Sequence, residues 1–314
     1  ATLVLQCAVY FAQTLLGATF TPAGEWITQP DAALRYGGTV GERPAMFSSF
    51  LLPLLLLATA DFVTDSSHRL RRSALVALGA ATLILTLTRA SWIGFALGLL
   101  YLVAACARRR ILVRRNAGLL ALVLLAVMAA LAPSIWIRIT QNGQEAFEER
   151  RALAEMAVRV VRAHPLAGVG AGAYPFVFRD YLTPDLADDW LYVVHNVYLL
   201  RAAETGLPGL AALLIFLCVA FRLAAPERMS SPGARRMALG WRAGLIALAW
   251  EMLWDMSLGP ATNSLLWFFC GLMAAAQASR AAGGAPKGTL ATGRAIETGF
   301  ATEPAPRAVG REAP

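Results

Sequence analysis

The chain is 314 residues long, 57% hydrophobic and only 15% charged, with a mean hydropathy of +0.55. Soluble domains carry roughly 25% charged residues, so this composition excludes an ordinary soluble domain and indicates an integral membrane protein. The net charge of +8 invites a nucleic-acid reading, but the arginines gather in short stretches between apolar runs, which is the signature of cytoplasmic loops and not of a nucleic-acid surface.

A bilayer core of about 30 Å takes around 20 apolar residues per helix. Eight segments meet that pattern, at 3–20, 44–63, 73–88, 90–107, 116–133, 205–221, 238–254 and 262–279. They are continuously apolar rather than alternating, which argues for helices and against a barrel. The expected fold class is therefore an all-α polytopic membrane protein with about eight transmembrane helices, comprising residues 1–280. The first residues, ATLVLQCAVYF, already lie inside an apolar segment. No signal-peptide pattern precedes them, and the expectation is a fragment lacking upstream helices. The four cysteines, Cys7, Cys106, Cys218 and Cys270, sit in or beside apolar runs without CxxC spacing, which disfavours both disulfides and a zinc site.

The basic stretches HRLRR at 68–72, RRRILVRR at 108–115 and Arg222 to Arg236 are assigned to the cytoplasm. That choice places the remaining loops outside: residues 21–43, the turn around Arg89, the long polar segment 134–195 and the turn at 255–262. The Ala-, Gly-, Pro- and Thr-rich stretch 281–314 reads as a disordered cytoplasmic tail. The outer segment 134–195 has room for a site. Within it, Ala146, Leu153, Ala157, Val160 and Val161 recur at helical spacing, with Arg151, Glu155, Arg159 and Arg162 on other faces. This predicts an amphipathic helix lying on the membrane surface and ended by Pro165. A glycine-rich stretch, LAGVGAGAYPF, and a polar run with Asp185, Asp188 and Asp189 follow. The glycines permit a tight turn or an anion-binding nest; no strand precedes them, so a dinucleotide fold is not supported.

Chemistry is expected from a small set of polar residues at helix mouths. Arg89, in LTLTRASWIGF, lies where two apolar segments meet on the outer side. It either snorkels to headgroups or binds an anion, since a guanidinium makes two parallel hydrogen bonds to a phosphate. Arg43, in GTVGERPAMF, either pairs with Glu42 or joins Arg89 in a cationic rim, with Arg150 and Arg151 as further members. His195 precedes an apolar run and is either an interfacial residue or a general base, its unperturbed pKa of ~6.5 suiting proton acceptance near neutrality. Asn196 is placed to orient it. Arg201 and Glu204 are spaced i, i+3 and form a salt bridge on one helix face. Pro208 then breaks or kinks the chain, so that 196–205 forms a short interfacial helix and the span begins near Leu207. Glu251 and Asp255 lie among Trp250 and Trp254 at the outer end of the seventh segment and are candidates for holding an arginine of the rim. His68 and His164 carry no special role.

Three of these stretches together resemble one family. RRALAEMAVRVVRAHPLAGVGAGAY is similar to the segment of bacterial O-antigen ligases and polymerases in which an arginine, here Arg150, opens a surface helix. VVHNVYLLRAAETGLPGL resembles their His-Asn signature, and LTRASWIGF their arginine-bearing turn. Ala154 and Val193 stand where the family often has Trp and His or Ser. The resemblance spans about residues 40–222. It implies a GT-C-like polytopic glycosyltransferase of the bacterial inner membrane with its active site facing the periplasm. The implied donor is a glycan on undecaprenyl diphosphate. The acceptor is a lipid A core sugar for a ligase, or another repeat unit for a polymerase. The partners are thus the donor, the acceptor and membrane lipids, with no metal, cofactor or nucleic acid expected. The leading expectation is ligase-like transfer with His195 as base, and polymerase is the alternative. A secondary transporter using Arg89 and Glu204 is disfavoured because no repeated half is visible and the unusual charges lie at the surface.

Overall fold

The computed structural model describes residues 1–17, 19–20, 26–27, 36–40, 44–140, 143–182, 193–255 and 258–284. Within them the chain is helical, apart from a two-residue antiparallel ribbon pairing Thr19–Phe20 with Trp26–Ile27. The helices are α1 (Thr2–Leu16), α2 (Pro44–Thr64), α3 (Arg69–Leu85), α4 (Arg89–Arg108), α5 (Arg114–Ala130), α6 (Ala132–Thr140), α7 (Gly143–Ala163), α8 (Tyr174–Val177), α9 (Val197–Leu223), α10 (Pro232–Glu251) and α11 (Pro260–Gly284). The expected tail falls on 285–314 almost entirely, outside the described residues, as do Arg43 and the aspartates 185, 188 and 189.

Each of the eight apolar segments coincides with a helix, and among the described residues three or four of these are both long and apolar enough to cross a membrane. By length and composition α2, α4 and α9 can cross a membrane, and α5 with α6 adds a fourth if that pair, bent by 65°, counts as one span. The apolar α1 has only 15 residues. Helix α10 carries Arg235, Arg236, Arg242 and Glu251, so it is buried by its neighbours more than by lipid character. The break between α5 and α6 falls at Leu131, two residues before Pro133, whose ring cannot continue the preceding helix.

Helix α10 is the central post, packed between α2 and α4 by small residues. A Cβ on Gly240 would lie 2.7 Å from the Leu57 backbone, and one on Gly244 would lie 2.8 Å from Pro53 Cβ. On α4, Gly94 and Gly98 face the carbonyls of Ala247 and Ala243, where a Cβ would come within 3.1 and 2.8 Å. Among apolar helices van der Waals contact is the available attraction, and glycines spaced four apart let backbones approach. The resulting core joins Leu51, Leu52, Leu55 and Leu56 of α2 to Phe95 and Leu102 of α4 and Ala243 and Ala247 of α10. A second cluster, around Trp241 stacked on Phe269 at 4.5 Å, fastens α11 to α10.

The long amphipathic helix is present as α7, and it ends at Ala163, just before Pro165. Its apolar face is not spent on lipid, however. Leu153, Met156, Ala157 and Val160 are buried against Tyr174, Phe178 and Ala203. Periodicity shows that one face must be covered but carries no information about what covers it; here α9 and the α8 segment do.

All loops assigned to the cytoplasm meet at one end of the bundle. Asp61 and Asp65, one turn apart at the end of α2, take Arg72 at 2.9 and 3.2 Å and Arg236 at 3.2 and 3.2 Å. Arg109 pairs with Glu227, and Asn116 Nδ2 donates to the Phe62 and Asp65 carbonyls at 2.7 and 2.9 Å. The Arg72 guanidinium and the Ser67 amide hold the Asp65 carboxyl well below the usual carboxylate range.

Candidate functional site

The opposite end holds a cavity of about 390 Å³. Its wall is assembled from Ala45 of α2, Arg89 and Ile93 of α4, Arg138 of α6, and Trp250, Trp254 and Asp255 at and just beyond the end of α10, together with Arg150, which lies within α7 two turns after its start and does not open that helix. Three guanidiniums thus face one carboxylate among the described residues. Arg89 is the first residue of α4, following the cap residue Thr88. The turn before it is tight because Leu87 adopts φ 53, an uncommon left-handed conformation for a leucine. The Leu87 carbonyl accepts a hydrogen bond from Arg138 Nε at 2.8 Å, which ties α6 to this turn.

Two donors in the wall have no acceptor among the described residues. Arg150 Nε and Trp250 Nε1 are buried without a hydrogen-bond partner among the described residues. Neither Arg89 nor Arg150 forms an ion pair there either. Buried donors normally find an acceptor, so a cavity that presents N–H groups unanswered among the described residues, together with three guanidiniums, has the chemistry to accept an oxyanion.

Arg151, the neighbour of Arg150, is not brought to this cavity. It is exposed on the other side of α7, pairing with Glu155 at 3.0 Å and lying 3.9 Å from Glu148. The 100° step between adjacent helical residues separates the two arginines. Arg138, by contrast, was not singled out in the sequence; a charge inside the apolar stretch SIWIRIT was the available signal.

His195 lies at the same end, half-buried, immediately before α9. It is not part of the cavity wall. The two residues that follow it anchor it beside the α10 terminus: Asn196 Nδ2 donates to Leu253 O at 3.1 Å, and the Val197 amide donates to Met252 O at 2.8 Å. Asn196 also caps α9, its Oδ1 accepting from the Leu199 amide at 2.9 Å. Both ends of the Asn196 amide are thus engaged in holding the backbone, so it fixes where the His195 segment sits rather than gripping the imidazole.

Helix α9 is broken at Gly206, with φ 71 and ψ −179, which separates 197–205 from the apolar remainder as the sequence suggested. The glycine-rich stretch docks into this break. The Val169 and Gly170 amides donate to Ala203 O and Glu204 O, both at 2.9 Å, and the Leu207 amide donates to Pro165 O at 2.8 Å. There is no room for side chains here: a Cβ on Gly168 would lie 2.3 Å from the Glu204 carbonyl carbon, and one on Gly206 would lie 2.3 Å from Leu166 O. The glycines therefore serve close backbone approach, which joins α7 to α9 and so relates Arg150 to His195. Glu204 is buried and pairs with Arg201 at 3.2 Å, a structural ion pair at this joint. Nearby, burial pushes the Tyr174 hydroxyl up to about 12. The ordinary histidine His164 lies 2.9 Å from Tyr181 Oη.

Beneath the cavity, Glu251 is the last residue of α10 and is only 1% exposed. Ser91 Oγ of α4 lies within hydrogen-bond distance of Glu251 Oε1 and 2.7 Å from Ser48 Oγ of α2.

No curated protein matches the chain. Residues 74–214 match the family model described as O-antigen ligase. The matched stretch contains Arg89, Arg138, Arg150, His195 and Glu204, and it ends before Trp250 and Asp255. This match falls on the stretch that carries the three motifs and shows that residues 74–214 are similar to the O-antigen ligase family.

Proposed function

We propose that the protein transfers a glycan from undecaprenyl diphosphate to an acceptor hydroxyl at the periplasmic face of the bacterial inner membrane, with lipid A core as acceptor in the ligase case. The observation that carries this reading is the cavity in which Arg89, Arg138 and Arg150 converge with buried donors that lack an acceptor among the described residues. In this reaction the acceptor oxygen attacks the anomeric carbon while the bond from that carbon to the diphosphate breaks. The diphosphate leaves with the bonding electrons. The charge on the bridging oxygen grows as the bond stretches, so arginines fixed around it stabilise the transition state more than the ground state. His195, at the neighbouring edge, accepts the proton released by the acceptor hydroxyl. Asn196 holds the segment, and the Arg201–Glu204 pair supports the joint behind it. Arg43, two residues before Ala45 in sequence, is proposed as a further cation for the donor, and Arg151 would contribute only general positive potential.

The test is transfer in vitro with purified full-length protein, an undecaprenyl-diphosphate-linked glycan and lipid A core. A glycan-bearing lipid A that disappears in His195→Ala supports the ligase. Elongated lipid-linked chains instead identify a polymerase, and neither product with active controls overturns the transferase reading. A labelling experiment on Gly170→Cys decides the sidedness: modification by an impermeant reagent from the periplasm is expected, and protection there with labelling from the cytoplasm sinks it.

A further inference from the structure

The sequence of hydroxyls under the cavity floor allows its hydrogens to be counted. Ser48 Oγ lies 2.8 Å from Ala45 O and gives its hydrogen there. Ser48 can then only accept from Ser91, 2.7 Å away. A serine hydroxyl has one hydrogen, so Ser91, having donated to Ser48, must itself accept at its contact with Glu251. Only a protonated carboxyl can donate in that contact. The reverse arrangement, with Ser48 donating to Ser91 and Ser91 to a carboxylate, leaves an ionised group almost wholly buried. Among the described residues it makes no ion pair, and its Oε2 has no hydrogen-bond partner. Ser49, on the adjacent position of α2, lies 2.9 Å from Ala45 O and within reach of the Glu251 carboxyl as well, but it is neutral and supplies no counter-charge, and the next charged residue after Glu251, just beyond α10, is a second carboxylate, Asp255. Burying an unpaired carboxylate costs several kcal/mol and the group neutralises instead.

We propose that Glu251 is a neutral carboxylic acid that heads a hydroxyl chain through Ser91 and Ser48 to Ala45 O, and that this chain is the positioning element setting Arg89 against Trp250 in the cavity wall. It joins the first turns of α2 and α4 to the last turn of α10, and each of those turns supplies a wall residue: Ala45, Arg89 and Trp250. Neutrality suits the place, because a carboxylate here would compete with a phosphate for the arginine field. The positioning role rests on the anion-cavity reading; the protonation state does not.

The test uses the purified full chain in detergent and inorganic diphosphate as probe. The infrared spectrum of the wild type minus Glu251→Gln at neutral pH is expected to show the carbonyl stretch of a protonated carboxylic acid. Ser91→Ala is expected to move that band to higher frequency by removing the hydrogen bond. A carboxylate stretch in its place overturns the proposal. Diphosphate affinity is expected to fall about tenfold in Glu251→Ala, the scale of a small misplacement of a binding group, and to recover to within about threefold of wild type in Glu251→Gln, whose amide can donate to Ser91. If Arg89→Ala weakens diphosphate binding and Glu251→Ala does not, the cavity reading stands and the positioning role falls. If Arg89→Ala itself leaves binding unchanged, the cavity reading falls and takes the positioning role with it.

Discussion

The two ends of the bundle are both rich in arginine and treat it in opposite ways. At the basic end, Asp61 and Asp65 clasp Arg72 and Arg236, and Glu227 takes Arg109. These guanidiniums have protein partners, and the smaller cavity of about 250 Å³ at this end is lined by Arg236 together with its own counter-charge, Asp61. At the other end Arg89, Arg138 and Arg150 converge on a cavity with one carboxylate in its wall, and Arg150 Nε stays unpaired among the described residues. The difference teaches that arginine count is no guide to function in such a protein. What matters is whether the fold supplies the counter-charge. Where it does, as at Asp61 and Asp65, the arginines staple loops; where it does not, as at Arg150, the guanidinium remains open to a ligand, as proposed above.

That contrast can be broken by experiment. The largest effect is expected from His195→Ala, which should lower the transfer rate about 10²- to 10⁴-fold, the usual worth of a general base, with little change in diphosphate affinity. Full activity would remove His195 from the chemistry. Next, Arg89→Ala combined with Arg150→Ala should reduce kcat/KM by about 10²-fold or more, as for lost transition-state donors. Arg89→Lys should recover only part of the Arg89 share, because a point charge cannot bind two oxygens in parallel; wild-type behaviour would contradict bidentate binding at that position.

Gly168→Ala tests the joint between α7 and α9 rather than the cavity itself. It should lower thermal stability by about 1–3 kcal/mol, through the left-handed φ of 65 and the clash with the Glu204 backbone, and should lower activity by disturbing Arg150 and His195 together. An unaltered melting temperature would refute the close packing.

The smallest effect belongs to the basic end. Arg236→Ala should cost no more than about 1 kcal/mol, as half-exposed ion pairs do, and leave the transfer rate of the folded protein intact. A large kinetic loss would erase the contrast between the ends. The same clasp sets a pH dependence. Asp65 has a folded pKa depressed by Arg72, so its contribution to stability is present above the ordinary carboxylate pKa of ~3.9. That contribution is lost as pH falls through that value toward the depressed one. Melting temperature should drop on acidification below about pH 4, and Asp65→Asn should flatten that drop.

Much of the helix pattern was legible because apolar runs longer than a helical turn leave few alternatives. The kink in α9 was visible in TGLPG, although the break itself falls on Gly206, two residues ahead of Pro208. Arg150 and Arg151 illustrate the limit. As adjacent letters they had equal claims on the site, and only the rotation of α7 against α9 sends one to the cavity and the other to Glu155. Asn196 similarly had a free amide on paper and has none in the fold. Arg138 was overlooked because its neighbours Trp136, Ile137 and Ile139 hide it in an apolar stretch, and its role depends on a bend that no periodicity announces.

By itself the sequence determined the helical membrane class, the segregation of basic loops to one side, the break in α9 and the motifs of the family. These follow from local chemistry: backbone groups must pair within the segment in an apolar medium, and Gly and Pro act on their own dihedrals. The tertiary structure alone decided that α7 packs on protein, that the glycines of 168–170 and Gly206 interlock, and that Arg89, Arg138 and Arg150 share one cavity above Glu251. Those facts depend on helix rotation and on contacts between residues as much as 160 positions apart. A local pattern shows that a face or a charge must be satisfied, whereas the partner that satisfies it is set by how the helices pack.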